Sequence, residues 1–111
     1  MIRTSYPECI KELPKIKHSV EGVKGWLAQG KDFQIAFFEI DPTAKIPPHS
    51  HGAQFGIVMD GEMRLTIGDE TCVYRKGDTY YIPDGVVHHA AYNSSVLAMD
   101  FFAVANRYEA E

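Results

Sequence analysis

The chain has 111 residues and a formal charge of -4, from 11 basic and 15 acidic side chains. That length suits one domain with a core of its own, and the mildly acidic balance argues against nucleic acid or an anionic membrane as partner. No apolar run nears the roughly 18 residues of a membrane span, MIRTSYPECIKELPK lacks the apolar centre of a secretory signal, and Cys9 and Cys72 make no disulfide framework, so a reduced, cytoplasmic protein is expected.

The first elements divide sharply. Ser5 with Glu8 three residues on is a capping-box pattern, Pro7 suits a first helical turn and Pro14 stops it, which predicts a short N-terminal helix. From Ser19 onward the pattern is that of strands. VEGVKGWLAQ has no sustained helical period, and DFQIAFFEI is aromatic and β-branched, as a strand at least partly buried on both faces would be. FGIVM, EMRLTI, ETCVYR, TYYI, VVHHAAY and VLAMDFFAV follow, separated by turn signals that include Pro47-Pro48, Asp60-Gly61 (a two-residue hairpin signal), Gly68-Asp69 and Pro83-Asp84-Gly85. Short strands with tight turns and no helical crossovers predict an all-β antiparallel sandwich or barrel, which can leave a cavity between its sheets.

Four of the five histidines fall in two short segments, as His49, His51, His88 and His89. In a strand, His49 and His51 point to one face with Cα atoms about 7 Å apart, so both imidazoles can reach one ion. Gln54 offers an amide oxygen close by, and His88 can complete the set from a later strand. His89 then points away from the ion. The candidate metal ligands are therefore His49, His51, Gln54 and His88, holding one divalent ion: Zn, Ni, Fe, Co or Mn.

These two segments resemble the cupin superfamily. Its second motif, a glycine, five residues, then Pro-x-Gly-x-x-His, is met in full by Gly77, Pro83, Gly85 and His88. Its first motif is met by His49-x-His51 and by the spacing from Gln54 to Gly61. There are departures: Thr43-Ala44 stands where that motif opens on glycine, the spacer from His51 to Gln54 is one residue short, Asn93 is shifted, and Gln54 replaces a glutamate. The resemblance spans about residues 33 to 103 and implies a double-stranded β-helix, or jelly-roll barrel. It divides the chain into residues 1–32, with the helix and leading strands, and the barrel at 33–111, as one domain overall. A neutral amide in place of the carboxylate binds a divalent ion less tightly but leaves it a stronger Lewis acid, and disfavours Fe(III) or Mn(III).

If His88 faces inward, so do Ala90 and Tyr92. Tyr80 and Tyr81 are adjacent, so one of them faces in; Tyr92 and Tyr81 are the candidate catalytic residues for moving a proton. Arg64 is expected on a solvent face, while Phe38, Phe55, Phe102 and Trp26 are expected in the core or at a dimer interface. Asp100, alone in the apolar run LAMDFFAV, either reaches the surface or is a buried carboxylate orienting a ligand histidine. Small cupins that open the ring of unsaturated uronic acids resemble this chain in their three-histidine, one-glutamine ligands. The resemblance thus implies a metal-dependent isomerase or lyase acting on a sugar acid or another oxygenated small molecule. The alternatives are a sugar- or acid-binding module without turnover and a metal-dependent dioxygenase. The resemblance also implies a homodimer paired through sheet edges or the N-terminal segment, and Trp26 and Leu27 have little chain left to cover them.

Overall fold

The computed structural model describes residues 5–17 and 20–111. After α1 (Glu8–Lys11) the chain forms nine strands: β1 (Val23–Gln29), β2 (Gln34–Ile40), β3 (Lys45–His49), β4 (Gln54–Asp60), β5 (Glu62–Ile67), β6 (Glu70–Arg75), β7 (Thr79–Ile82), β8 (His88–Tyr92) and β9 (Val96–Phe102). They build a five-stranded sheet in the order β1-β2-β9-β4-β7 and a four-stranded sheet in the order β3-β8-β5-β6. Every strand pairing is antiparallel. This is the expected all-β jelly-roll barrel with a short N-terminal helix. No helix among the described residues is long and apolar enough to cross a membrane.

Alternation sets the core. Ala36, Phe38 and Ile40 of β2, Val58 of β4, Ile82 of β7, and Ala98 and Phe102 of β9 face inward, meeting Met63, Leu65 and Ala90 of the second sheet. β5, β6 and β7 have the bounds that the sequence suggests.

Two turn expectations and one helix-cap expectation are corrected. Asp60-Gly61 makes no hairpin: β4 pairs with β7 and β9, whereas β5 pairs with β6 and β8. Gly61, at φ 88°, is the corner where the chain leaves one sheet for the other, and a Cβ there would strike the Ser95 carbonyl. Pro47-Pro48 lies inside β3 rather than in a turn. β3 is an edge strand, where missing N–H groups are tolerated, and its pairing with β8 skips between Ile46 and His49. α1 is only four residues long with Pro7 as its N-cap, and no side chain caps it. Ser5 instead accepts a 2.7 Å hydrogen bond from Lys11 Nζ.

The N-terminal segment covers Trp26 and Leu27, against the expectation that a partner does so. Tyr6, Trp26 and Leu97 are buried together, with Ile10, Leu13 and Phe37 packed around them. Tyr6 donates a 2.8 Å hydrogen bond to the Ala98 carbonyl, and its N–H donates to Glu39 at 2.8 Å. Lys15 bridges to Trp26, and the Leu27 N–H donates to the Pro14 carbonyl at 2.8 Å, so this segment also closes the β1 edge of the sheet.

Candidate metal centre

His49 and His88 face each other across the β3–β8 pairing. His51 comes from the loop after β3, not from a strand, so strand parity is not what aims it. The three rings nevertheless converge, with centroids 4.2 to 5.1 Å apart, and one ligand nitrogen from each lies within 4.8 Å of the others. His89 is exposed on the opposite face of β8.

Backbone carbonyls set the tautomers. Nδ1 lies 2.9 Å from Pro47 O in His49, 2.7 Å from Gly52 O in His51 and 3.0 Å from Val86 O in His88. A carbonyl can only accept, so each Nδ1 carries the proton and each Nε2 keeps its lone pair. Fixing the ring through its far nitrogen is how proteins prepare histidines for a metal. Burial, together with the neighbouring Arg107 and histidine charges, lowers the pKa of His88 and brings that of His51 down to about 4. His51 and His88 therefore favour the neutral imidazole, the form that a metal requires.

The histidines open onto a cavity of about 310 Å³ between the two sheets. Gln54, Tyr80, Tyr92, Asp100 and Arg107 share its wall, and the remaining lining is largely apolar. Tyr92 faces inward, as parity from His88 requires, and burial with the nearby Asp100 charge holds its phenol well above the ordinary value. Tyr81 does not reach the cavity. It is 57% exposed on the outer face, because Tyr80 and Ile82 take the two inward positions of β7. Arg64 is exposed, as expected. Phe38 and Phe102 are core residues, whereas Phe55 is half-exposed on the outer face.

Asp100 is buried, but no ligand histidine is its hydrogen-bond partner. Tyr80 donates to it at 2.6 Å, and the Gln54 side chain hydrogen-bonds it as well. A carboxylate only accepts, so Gln54 donates through Nε2 and keeps Oε1 for another partner. An ionised glutamate at position 54 has no donor for that bond. The glutamine that departs from the cupin motif thus fits the carboxylate beside it. Burial raises the Asp100 pKa to about 6, against the lowering effect of Tyr80 and Gln54.

Arg107 was not among the candidate site residues, yet it lines the cavity. It follows β9 in an irregular segment that carries no periodicity. The buried Gln34 side chain positions it at long range, accepting from the Tyr108 N–H and donating to the Tyr108 carbonyl, both at 2.9 Å. The guanidinium lies 4.4 Å from the Tyr108 ring centroid and 5.9 Å from that of Phe102. Its Nε is buried and makes no hydrogen bond among the described residues.

The family model of the cupin domain matches residues 36–105. This chain belongs to the cupin family. A relative of this cupin from Bacillus subtilis, H2HPP isomerase, is 30% identical over 91 residues, covering 78% of the chain and 39% of the relative. The chain thus spans well under half of that relative's length. Among solved structures, an RmlC-like cupin from Shewanella frigidimarina NCIMB 400 superposes with a TM-score of 0.79 at 22% identity, over 93% of this chain and 91% of that one. KdgF from Halomonas sp. superposes with a TM-score of 0.73 at 24% identity, over 83% and 86% of the two chains. Both structures share the fold of this cupin.

Proposed function

We propose that this cupin is a metal-dependent isomerase or lyase acting on a small oxygenated carboxylic acid. The observation that carries the reading is the shared tautomer of His49, His51 and His88, whose Nδ1 atoms are all engaged by backbone carbonyls. Their Nε2 atoms, with Gln54 Oε1, would hold one divalent ion. When bound, that ion supplies Lewis-acid polarisation of a carbonyl or hydroxyl oxygen. The assignment to isomerase chemistry draws support from the name of the Bacillus subtilis relative.

The chain's own residues would do the rest. Arg107 Nε, buried and with no hydrogen bond among the described residues, is placed to donate to a substrate carboxylate, the pairing for which a guanidinium is best shaped. A phenol keeps its proton at neutral pH, and burial and the Asp100 charge hold that of Tyr92 more firmly still, so it would act as donor rather than base. Asp100, held by Tyr80, would orient the Gln54 amide. Tyr81 has no part in this scheme, since it lies outside the cavity. Both cysteines are free and exposed, which suits a reducing compartment such as the cytoplasm.

The test is turnover of small hydroxy and oxo acids by metal-loaded protein. Loss of turnover with chelator and in His51→Ala, and a raised KM with unchanged metal content in Arg107→Gln, would support the reading. Acids that bind through Arg107 without any turnover would instead mark a binding module.

A further inference from the structure

The cavity changes character along its length. In the four-stranded sheet, cross-strand register sets His49 and His88 in one row, Ile46, Ala90 and Leu65 in the next, and Tyr92 with Met63 beyond them. The five-stranded sheet runs the same way. Gln54 pairs with Ile82, then Tyr80 and Asp100 meet over Gly56, then Phe38 lies beside Ala98. Ile40 and its β1 partner Val23 follow. All of these side chains except the bare Gly56 line the cavity, so its walls are polar around the histidines and aliphatic or aromatic away from them.

Most of the polar groups are also committed already. Tyr80 and Gln54 both donate to Asp100. The three histidine Nδ1 atoms face backbone carbonyls. Tyr108 sets its ring edge-on to Phe38 and Phe102. A ligand therefore meets Arg107, the metal-facing atoms and the Tyr92 hydroxyl, and otherwise hydrocarbon. Each ligand hydroxyl buried there without a partner costs roughly tenfold in affinity, whereas each buried methylene adds roughly fourfold.

We infer that this site takes a hydroxy or oxo acid with an apolar body, a branched alkyl chain or a single ring, and discriminates against polyhydroxylated sugar acids. The carboxylate goes to Arg107 and the second oxygen to the metal, as in the proposed reaction on which this assignment rests. The body lies against Leu65, Met63, Phe38 and Ile40. Size agrees: an apolar cavity of roughly 150 Å³ holds one benzene, so about 310 Å³ has room for a ring and a three-carbon acid head.

Calorimetry on zinc-loaded wild-type protein tests this with four probes: lactate, 2-hydroxy-4-methylpentanoate, 3-phenyllactate and galacturonate. Affinity should rise from lactate to the two apolar acids by at least about tenfold, and galacturonate should bind at least about tenfold more weakly than 3-phenyllactate. Met63→Gln, which keeps the side-chain length but adds an amide to the apolar wall, should reduce the preference for 3-phenyllactate over lactate several-fold and leave lactate binding unchanged. The wild-type series stands without that variant. Preferred binding of the apolar acids without turnover would support this specificity while contradicting the proposed reaction. Turnover of galacturonate, with binding as tight as that of 3-phenyllactate, would overturn the specificity and leave the reaction standing. Equal affinity across the probes, or no binding of any at millimolar concentration, would overturn it as well.

Discussion

Tyr80 donates a 2.6 Å hydrogen bond to Asp100 across the backbone of Gly56, the residue on β4 that pairs with both. A Cβ at position 56 would collide with the Asp100 carboxylate and the Tyr80 ring. The bare backbone is thus what allows residues on two strands flanking β4 to meet over it. Gly56→Ala should cost about 1–3 kcal/mol through overpacking. Tyr80→Phe should cost a similar amount, about 1–3 kcal/mol, by leaving the buried carboxylate one donor short. Urea unfolding measures both, and an unchanged midpoint in Gly56→Ala would contradict this packing.

The same carboxylate explains the glutamine at position 54. Gln54→Glu should bind a divalent ion at least about tenfold more tightly, because a charged oxygen replaces an amide. The metal-free variant should nevertheless melt below wild type at pH 7, since two carboxylates would then share one buried site. Chelator competition and thermal melts separate the two effects. A metal-free variant as stable as wild type would show that Gln54 and Asp100 are not coupled.

In metal-free protein, titration at this site runs in two directions. Asp100 binds its proton up to about pH 6 when folded but only to 3.8 in the reference state, so its contribution makes stability fall as pH rises between those values. His51 is the reverse: its pKa drops from 6.5 to about 4, so the unfolded chain binds more protons and stability rises with pH across that window. The lowered pKa of His88 adds to the rise. Asp100→Asn removes the falling component, so its stability should climb more steeply than that of wild type between about pH 4 and 6. Urea midpoints across that range check this, and parallel slopes would refute it.

Trp26 is the one tryptophan, which makes the N-terminal cover directly visible. Tyr6 meets its ring edge-on with centroids 6.4 Å apart and bonds the Ala98 carbonyl. Tyr6→Ala should cost about 3–5 kcal/mol, as for other large aromatics truncated in a core. Its emission should shift to the red as water reaches the indole. Emission unchanged from wild type would mean that the segment does not shield Trp26.

The strands were legible where turn residues bracket them, which is why β5, β6 and β7 came out with the right bounds. What strands alone do not reveal is which sheet each one joins, so Gly61 read as a hairpin although it is a corner between sheets. A one-residue difference in parity decided between Tyr80 and Tyr81, and two adjacent tyrosines give no clue to it. His49, His51 and His88 were legible from their spacing and their glycine and proline frame, although His51 sits on a loop. Arg107 was not, because its place depends on the Gln34 clamp, a contact 74 residues distant in sequence.

Anomalous scattering from crystals grown with a divalent metal tests the central claim most directly. One peak per chain is expected, about 2.1 Å from a ring nitrogen of each of His49, His51 and His88, with Gln54 Oε1 turned toward it. Crystals holding the metal elsewhere, with no peak bonded to all three histidines, would contradict it.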